Sequence, residues 1–298
     1  MTGDTKLYGA VEAGGTKFVC AVGSGPDHLE SVLQFPTTTP EETLGRTLDF
    51  FSAWKDKLHG IGIGSFGPLD IDPESPAYGS IEKTPKPGWS GTPVLSRIRE
   101  LGLPVAIDMD VASSAIGEYT WGAGQDLGNF LYITVGTGIG ATALLDGRPL
   151  TGMAAPEMGH VLVPMVPGDD FEGICPFHHG CLEDRASGPA IEKRWGTPGS
   201  ELPPDHPAWE LEAEYLSSAM VNYILTLSPK RIVAGGGVMQ QKHLFPLVRK
   251  KVQEKLNEYV VRSEILTEID SYIVPPKLGN RSGILGCLVM AAKTADQE

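Results

Sequence analysis

The chain has 298 residues, 41% hydrophobic and 20% charged, a composition that suits a soluble protein with a real core and a length that allows two α/β lobes. With 24 basic against 37 acidic residues its formal net charge is −13, and its densest basic run, Arg249-Lys250-Lys251, mixes with Glu254, Lys255 and Glu258 as on a solvated helix face, so no nucleic-acid partner is expected. The N-terminal stretch MTGDTKLYGAVEAGG has no basic region ahead of an apolar run, and no apolar run reaches the ~18 residues of a membrane span, so a cytoplasmic protein without a membrane partner is expected. Four cysteines are too few for a disulfide scaffold; Cys20 and Cys287 sit in apolar stretches and are expected to be inert core thiols.

In chain order, LYGAVE at 7–12 and FVCAVG at 18–23 are apolar runs joined by AGGTK, the pattern of a hairpin with a glycine turn. TLGRTLDFFSAWKDK at 43–57 has helical periodicity, LHGIGIGSFGP at 58–68 reads as a buried strand ending in a tight turn, and PVAIDMD at 104–110 is another strand, with helix-compatible residues at 111–122 behind it. The pattern restarts at 129–150, where two apolar runs again flank a glycine turn. A helix at 210–227, a strand entering a glycine turn at 231–238 and helices at 244–259 and 282–295 follow. Two α/β lobes are implied: residues 1–116 joined by the C-terminal helix at about 284–298, and residues 117–283. The proline-rich stretch GTPGSELPPDHP at 196–207 is a loop on the second lobe.

Clustered glycines between strands let backbone N–H groups approach a phosphate together. Gly14, Gly15 and Thr16 of EAGGTK (12–17, ending in Lys17) could do so, as could Gly136, Thr137, Gly138 and Gly140 of VGTGIG (135–140), and Gly235, Gly236 and Gly237 form a third run. Neither turn has the Lys-Ser/Thr ending of a P-loop, and GTGIG lacks the glycine spacing of a dinucleotide fold, so two common nucleotide folds are excluded. Asp110, at the end of the strand PVAIDMD, is a candidate general base for a phosphoryl acceptor. Asp108 lies on the same strand face and is its rival, and helix capping is the plain alternative for Asp110.

His160, Cys175, His178 and Cys181 supply nitrogen and sulfur donors in a Cys-x-x-His-x-x-Cys loop with one upstream histidine, a set suited to a closed structural zinc site. His178 has symmetric spacing to both cysteines, and its neighbour His179 stays open as the alternative. Such a loop would gather Glu157 and His160 of EMGH and Glu183, groups that can pair with sugar hydroxyls.

Taken together, EAGGTK, DMDV, VGTGIG, EMGH, CPFHHGCLE and AGGGV resemble, in order, the ROK family of bacterial sugar kinases and repressors, over residues 12–238. Within it the chain is similar to the zinc-containing fructokinases, through Glu12, CPFH and TPKPGW at 84–89. The resemblance implies an α/β, two-lobed, actin-like (ribonuclease H-like) kinase fold with an active-site cleft between the lobes. It also implies ATP with Mg2+, a structural Zn2+, phosphorylation of a hexose, with fructose to fructose 6-phosphate foremost, and a homodimer. Asp110 would be the base; Thr137, Pro189 in SGPAI and the turn from Gly235 to Val238 would meet ATP; Glu157, His160 and Glu183 would meet the sugar. A mannose or glucose kinase and a non-catalytic sugar-sensing or sugar-binding protein are the alternatives. Few residues precede Leu7, which disfavours the DNA-binding domain of a repressor. Ala112, Asp184, Asn280 and Arg281 depart from the family pattern and bear on the substrate and adenine pockets.

Overall fold

In the computed structural model, which describes residues 6–296, the chain forms two compact units: one holds the residues up to Gln125, Gly147–Pro156 and those from Asn280 on, the other Asp126–Asp146 and Glu157–Gly279. In the first unit β1 (Leu7–Ala13) and β2 (Lys17–Gly25) pair antiparallel with Ala13 opposite Phe18, and residues 14–16 close the hairpin. β3 (His28–Pro36) pairs antiparallel with β2, while β4 (Leu58–Ser65) runs parallel to β1 and β5 (Val105–Met109) parallel to β4, giving the order β3-β2-β1-β4-β5. β3 has no counterpart among the elements expected from sequence: it is an edge strand in which only Phe35 is buried, so it carries little hydrophobic signal.

The period of two in β4 sorts its residues by size. Ile61 and Ile63 fill the core on one face, while Gly60, Gly62 and Gly64 clear the other for the C-terminal helix (Ser282–Ala295) and the helix after β5. A Cβ on Gly62 would stand 1.9 Å from the Cys287 carbonyl oxygen, and one on Gly64 2.2 Å from Ser113 Oγ. α1 (Pro40–Ser52) starts three residues before the helix expected at 43–57: Thr39 caps it by accepting from the Glu42 amide at 3.4 Å, Pro40 stands in its first turn, and Glu41 and Glu42 complement its N-terminal dipole. After α2 (Val94–Arg99), α3 (Asp110–Trp121) packs against the C-terminal helix through Gly117 and Gly286. The boundary expected at residue 116 falls in the middle of α3, whose ladder continues until the Gly122 amide donates to Glu118 O. Cys20 and Cys287 are fully buried, and burial raises both thiols, Cys20 to about 12.

The second unit repeats the central pairing. β6 (Phe130–Val135) pairs antiparallel with β7 (Ile139–Leu145) across residues 136–138, and parallel with the strand Ile232–Gly235, which in turn runs parallel to Ile273–Val274. Two short helices, α4 (Leu182–Ala186) and α5 (Gly188–Trp195), precede α6 (Ala208–Leu227) and α7 (Leu244–Leu256), whose buried residues join those of the sheet in one core. Among the described residues no helix is long and apolar enough to cross a membrane.

Glu212 of α6 is a charge-bearing residue placed in that core. It is 1% exposed, neither carboxyl oxygen has a hydrogen-bond partner among the described residues, and burial pushes its pKa well above the usual value of 4.5, only partly opposed by the Arg194 guanidinium. Because the folded pKa lies above the unfolded one, the folded state binds this proton more tightly. The stability it contributes is full below about pH 4.5 and is lost as pH rises through the folded value. Glu212→Gln is therefore expected to raise the Tm at pH 8 by roughly 2–4 °C or more and to change it little at pH 4.5, measured by thermal denaturation at the two pH values.

Candidate active site

In the first unit the hairpin turn is braced from β3's end. The Thr37 hydroxyl donates to Gly14 O at 2.6 Å, the Thr37 amide to Thr16 O at 2.9 Å, and Lys86 of the TPKPGW segment donates to Thr37 O at 3.2 Å. Gly14 is required by packing, since its Cβ would meet Lys17 O at 2.7 Å, but Gly15 has nothing nearer than the Phe66 ring at 3.9 Å. Lys17 opens β2 with its ammonium 3.4 Å from Gln34 Oε1. Glu12 is partly buried and receives the Ile284 amide at the start of the C-terminal helix; burial raises its pKa against the pull of Lys17 and that amide.

Asp110 is not the last strand residue but the first residue of α3, with Met109 as the cap. The alternation that would place Asp108 and Asp110 on one strand face therefore stops at Met109. Nor does Asp110 serve as the cap; its Oδ1 accepts its neighbour's amide, Val111 N, at 2.7 Å, while Ser113 and Ser114 donate to its carbonyl at 2.8 and 3.0 Å. Asp108 sits at the C-terminal end of β5 and accepts the Met109 amide at 2.7 Å; burial lifts it to about 6 against that bond.

In the second unit three backbone turns meet. The Gly136 amide donates to Gly138 O at 2.9 Å across the exposed Thr137, and the Gly188 amide, beside Pro189 at the start of α5, donates to Gly136 O at 2.8 Å. A Cβ on Gly136 would lie 3.8 Å from Gly237 N, and one on Gly188 3.8 Å from Val238 Cγ2, so the run from Gly235 to Val238 completes the group. Gly235 and Gly236 are needed by the fold, the latter at φ 92° with a Cβ that would meet Val135 O at 2.3 Å. Gly237 has an ordinary negative φ and open space where its Cβ would be. Gly15, Gly136 and Gly237 thus owe their lack of a side chain to neither backbone strain nor packing, and their open faces fit a group that approaches the main chain closely, such as a phosphate.

Ile139 ties this group to the remaining candidates. Its amide donates to Glu183 Oε2 at 2.8 Å, and a Cβ on Gly159 of EMGH would stand only 1.6 Å from its carbonyl oxygen, so the EMGH turn lies directly on β7. Glu183 Oε1 is 3.8 Å from His160 Nε2, and the exposed Glu157 precedes the single 3-10 turn Met158–His160. His160 faces the other way with Nδ1, 3.5 Å from Cys181 Sγ and 4.0 Å from Cys175 Sγ, while His178 Nδ1 is 3.7 Å from Cys175 Sγ. One donor atom from each of His160, Cys175, His178 and Cys181 lies within 4.8 Å of the others, an N2S2 set that could hold a metal ion; His179 is outside it.

Asp184 shapes that loop. Its buried carboxylate accepts the amides of Ile174, Cys175 and Gly180 at 2.6, 2.7 and 2.8 Å and is paired with Arg185 at 3.2 Å. Burial alone would raise its pKa, but the three amides and the guanidinium outweigh it and hold the group below its usual range. The sequence marks Asp184 only as a departure, singles out neither Ile139 within VGTGIG nor Gly188 within SGPAI, whose contacts are made by backbone amides, and gives no sign of Thr37, whose partner lies 23 residues away.

The sequence model of the ROK family matches residues 8–294. The chain is 43% identical to the fructokinase of Zymomonas mobilis subsp. mobilis, over 98% of each chain, and 42% identical to that of Pediococcus pentosaceus, over 96% of this chain and 97% of the other. Among solved structures the ROK hexokinase from Thermus thermophilus superposes with a TM-score of 0.77 at 24% identity, covering 98% of this chain and all of that one, a likeness of fold. The α/β fold is that of ROK sugar kinases, and the chain belongs to the ROK family.

Proposed function

We propose that this chain is an ATP-dependent hexose kinase that converts fructose to fructose 6-phosphate. The observation that carries the reading is the full-length identity of 42–43% to fructokinases, borne on a chain that keeps a carboxylate at the start of α3 and main-chain turns with unexplained open faces. Asp110 accepts the proton of the attacking hydroxyl. Glu157, His160 and Glu183 take hydroxyls of the sugar, and the amides of Gly14, Gly15, Thr16 and Lys17, with Thr137, Gly138, Pro189 and the run from Gly235 to Val238, take the nucleotide. Magnesium enters with ATP and supplies neutralisation of phosphate charge. Zinc fits the four donors His160, Cys175, His178 and Cys181, where a closed site would order the loop and leave no open position for water. The reading extends to a cytoplasmic homodimer, on the strength of the family resemblance.

Coupled ADP release across a panel of hexoses is expected to show the highest kcat/KM for fructose; absence of turnover with every hexose would sink the reading. Asp110→Asn is expected to lower kcat by about 10²–10⁴-fold with sugar affinity retained, whereas Asp108→Asn keeps turnover within about tenfold; the reverse pattern would move the base to Asp108. Gly237→Ala has room for its methyl and a helix-compatible φ, so it should melt as the wild type does while losing nucleotide affinity, measured by calorimetric titration. Asp184→Ala leaves three loop amides without their acceptor and is expected to weaken metal retention about 10–100-fold, seen as substoichiometric zinc by elemental analysis after dialysis.

A further inference from the structure

We propose that Glu183, beyond meeting the sugar, is a positioning residue for the nucleotide turn and couples the two substrates; the inference rests on the hexose kinase reading above. Three observations on one side chain carry it. Oε2 accepts the Ile139 amide at 2.8 Å, so the carboxylate holds the C-terminal end of the turn formed by residues 136–138. A Cβ on Gly138 would come within 2.7 Å of that same oxygen, so the second glycine of the turn lets the Glu183 carboxylate approach without shifting. Oε1, the other oxygen, is turned toward the sugar-binding candidate His160, 3.8 Å from Nε2.

The physical consequence follows from the geometry of a carboxylate. Its two oxygens are rigidly linked, so a sugar hydroxyl donating to Oε1 fixes the orientation of the group and with it the position of Oε2. A turn of Gly, Thr and Gly has wide backbone freedom, and ordering it on binding costs conformational entropy unless something holds it beforehand. A charge-assisted hydrogen bond to the Ile139 amide is strong enough to provide that hold. The following residues reinforce it from the same segment: α4 leads through Ser187 into Gly188, whose amide donates to Gly136 O at the other end of the turn. Residues 183–188 thereby grip both ends of the glycine turn while presenting one carboxylate oxygen to the sugar.

The test is calorimetric titration of magnesium with a non-hydrolysable ATP analogue, AMPPNP, in the absence of sugar. Glu183→Ala is expected to weaken AMPPNP about tenfold, whereas Glu183→Gln, whose amide oxygen can still accept from Ile139, stays within about threefold of the wild type. Both variants should lose kcat/KM for fructose, so the split between nucleotide and sugar effects separates positioning from a general loss of structure. Gly138→Ala, which keeps every bonding group but sets a methyl against Oε2, tests the same contact independently and should weaken AMPPNP in the same direction. Wild-type AMPPNP affinity in Glu183→Ala or in Gly138→Ala overturns the proposal, as does equal weakening in the Ala and Gln variants. A wild-type protein that binds no AMPPNP overturns the kinase reading itself, a failure distinct from that of the Glu183 contact.

Discussion

Main chain packed on main chain, with no side chain between, is the constraint on which each unit depends. In the first unit the C-terminal helix reaches β4 and α3 only because Gly62, Gly117 and Gly286 present bare backbone to the Cys287, Ser282 and Ser113 carbonyls. In the second, Gly159 lies on the Ile139 carbonyl and Gly236 on that of Val135. A Cβ at any of these five points would come within 1.6–2.3 Å of a backbone oxygen, and no rotamer change can relieve a clash with backbone. These glycines are therefore a device for density, in contrast to Gly237, whose Cβ would meet open space at an ordinary negative φ.

Neighbouring carboxylates on α4 divide the labour of the second unit. Asp184 turns into the Cys/His loop and draws three amides around itself, while Glu183 turns toward β7 and takes one. Cys181 precedes both as the cap of the same short helix, its sulfur accepting from the Asp184 amide at 3.4 Å. Four consecutive residues thus contribute a metal-ligand candidate, a core leucine, a sugar-binding candidate and the organiser of the loop. A shift in this helix would displace all of them together, so the order of the loop and that of the glycine turn are aspects of one piece of local structure.

What the sequence revealed divides along the same physical lines. Both hairpins and their glycine turns were legible, since apolar runs of strand length around glycines specify a hairpin locally. The Cys/His group was legible because its donors are rare residue types at short spacing. The strand-to-helix boundary at Asp110 was off by one residue: PVAIDMD continues its strand-like pattern up to a polar residue that already opens α3 and carries no periodicity signal of its own. β3 went unseen because, although its exposure alternates, Ser31 faces inward and the exposed Val32 outward, which breaks the hydrophobic alternation at its centre; α1 was placed late because its start is written in Thr39, Pro40 and two glutamates and not in its buried face. Thr37 and Asp184 act on backbone atoms far from them in sequence or folded around them, which only three-dimensional structure discloses.

The division of the first unit between the two ends of the described chain bears on how the protein is made. Its sheet is complete by Met109, yet the glycine face of β4 and the buried side of α3 are covered by a helix that begins at Ser282. On the ribosome, the whole second unit emerges while that face is still bare. The earlier-synthesised unit is thus the later one to close, its core completed only when its last helix arrives.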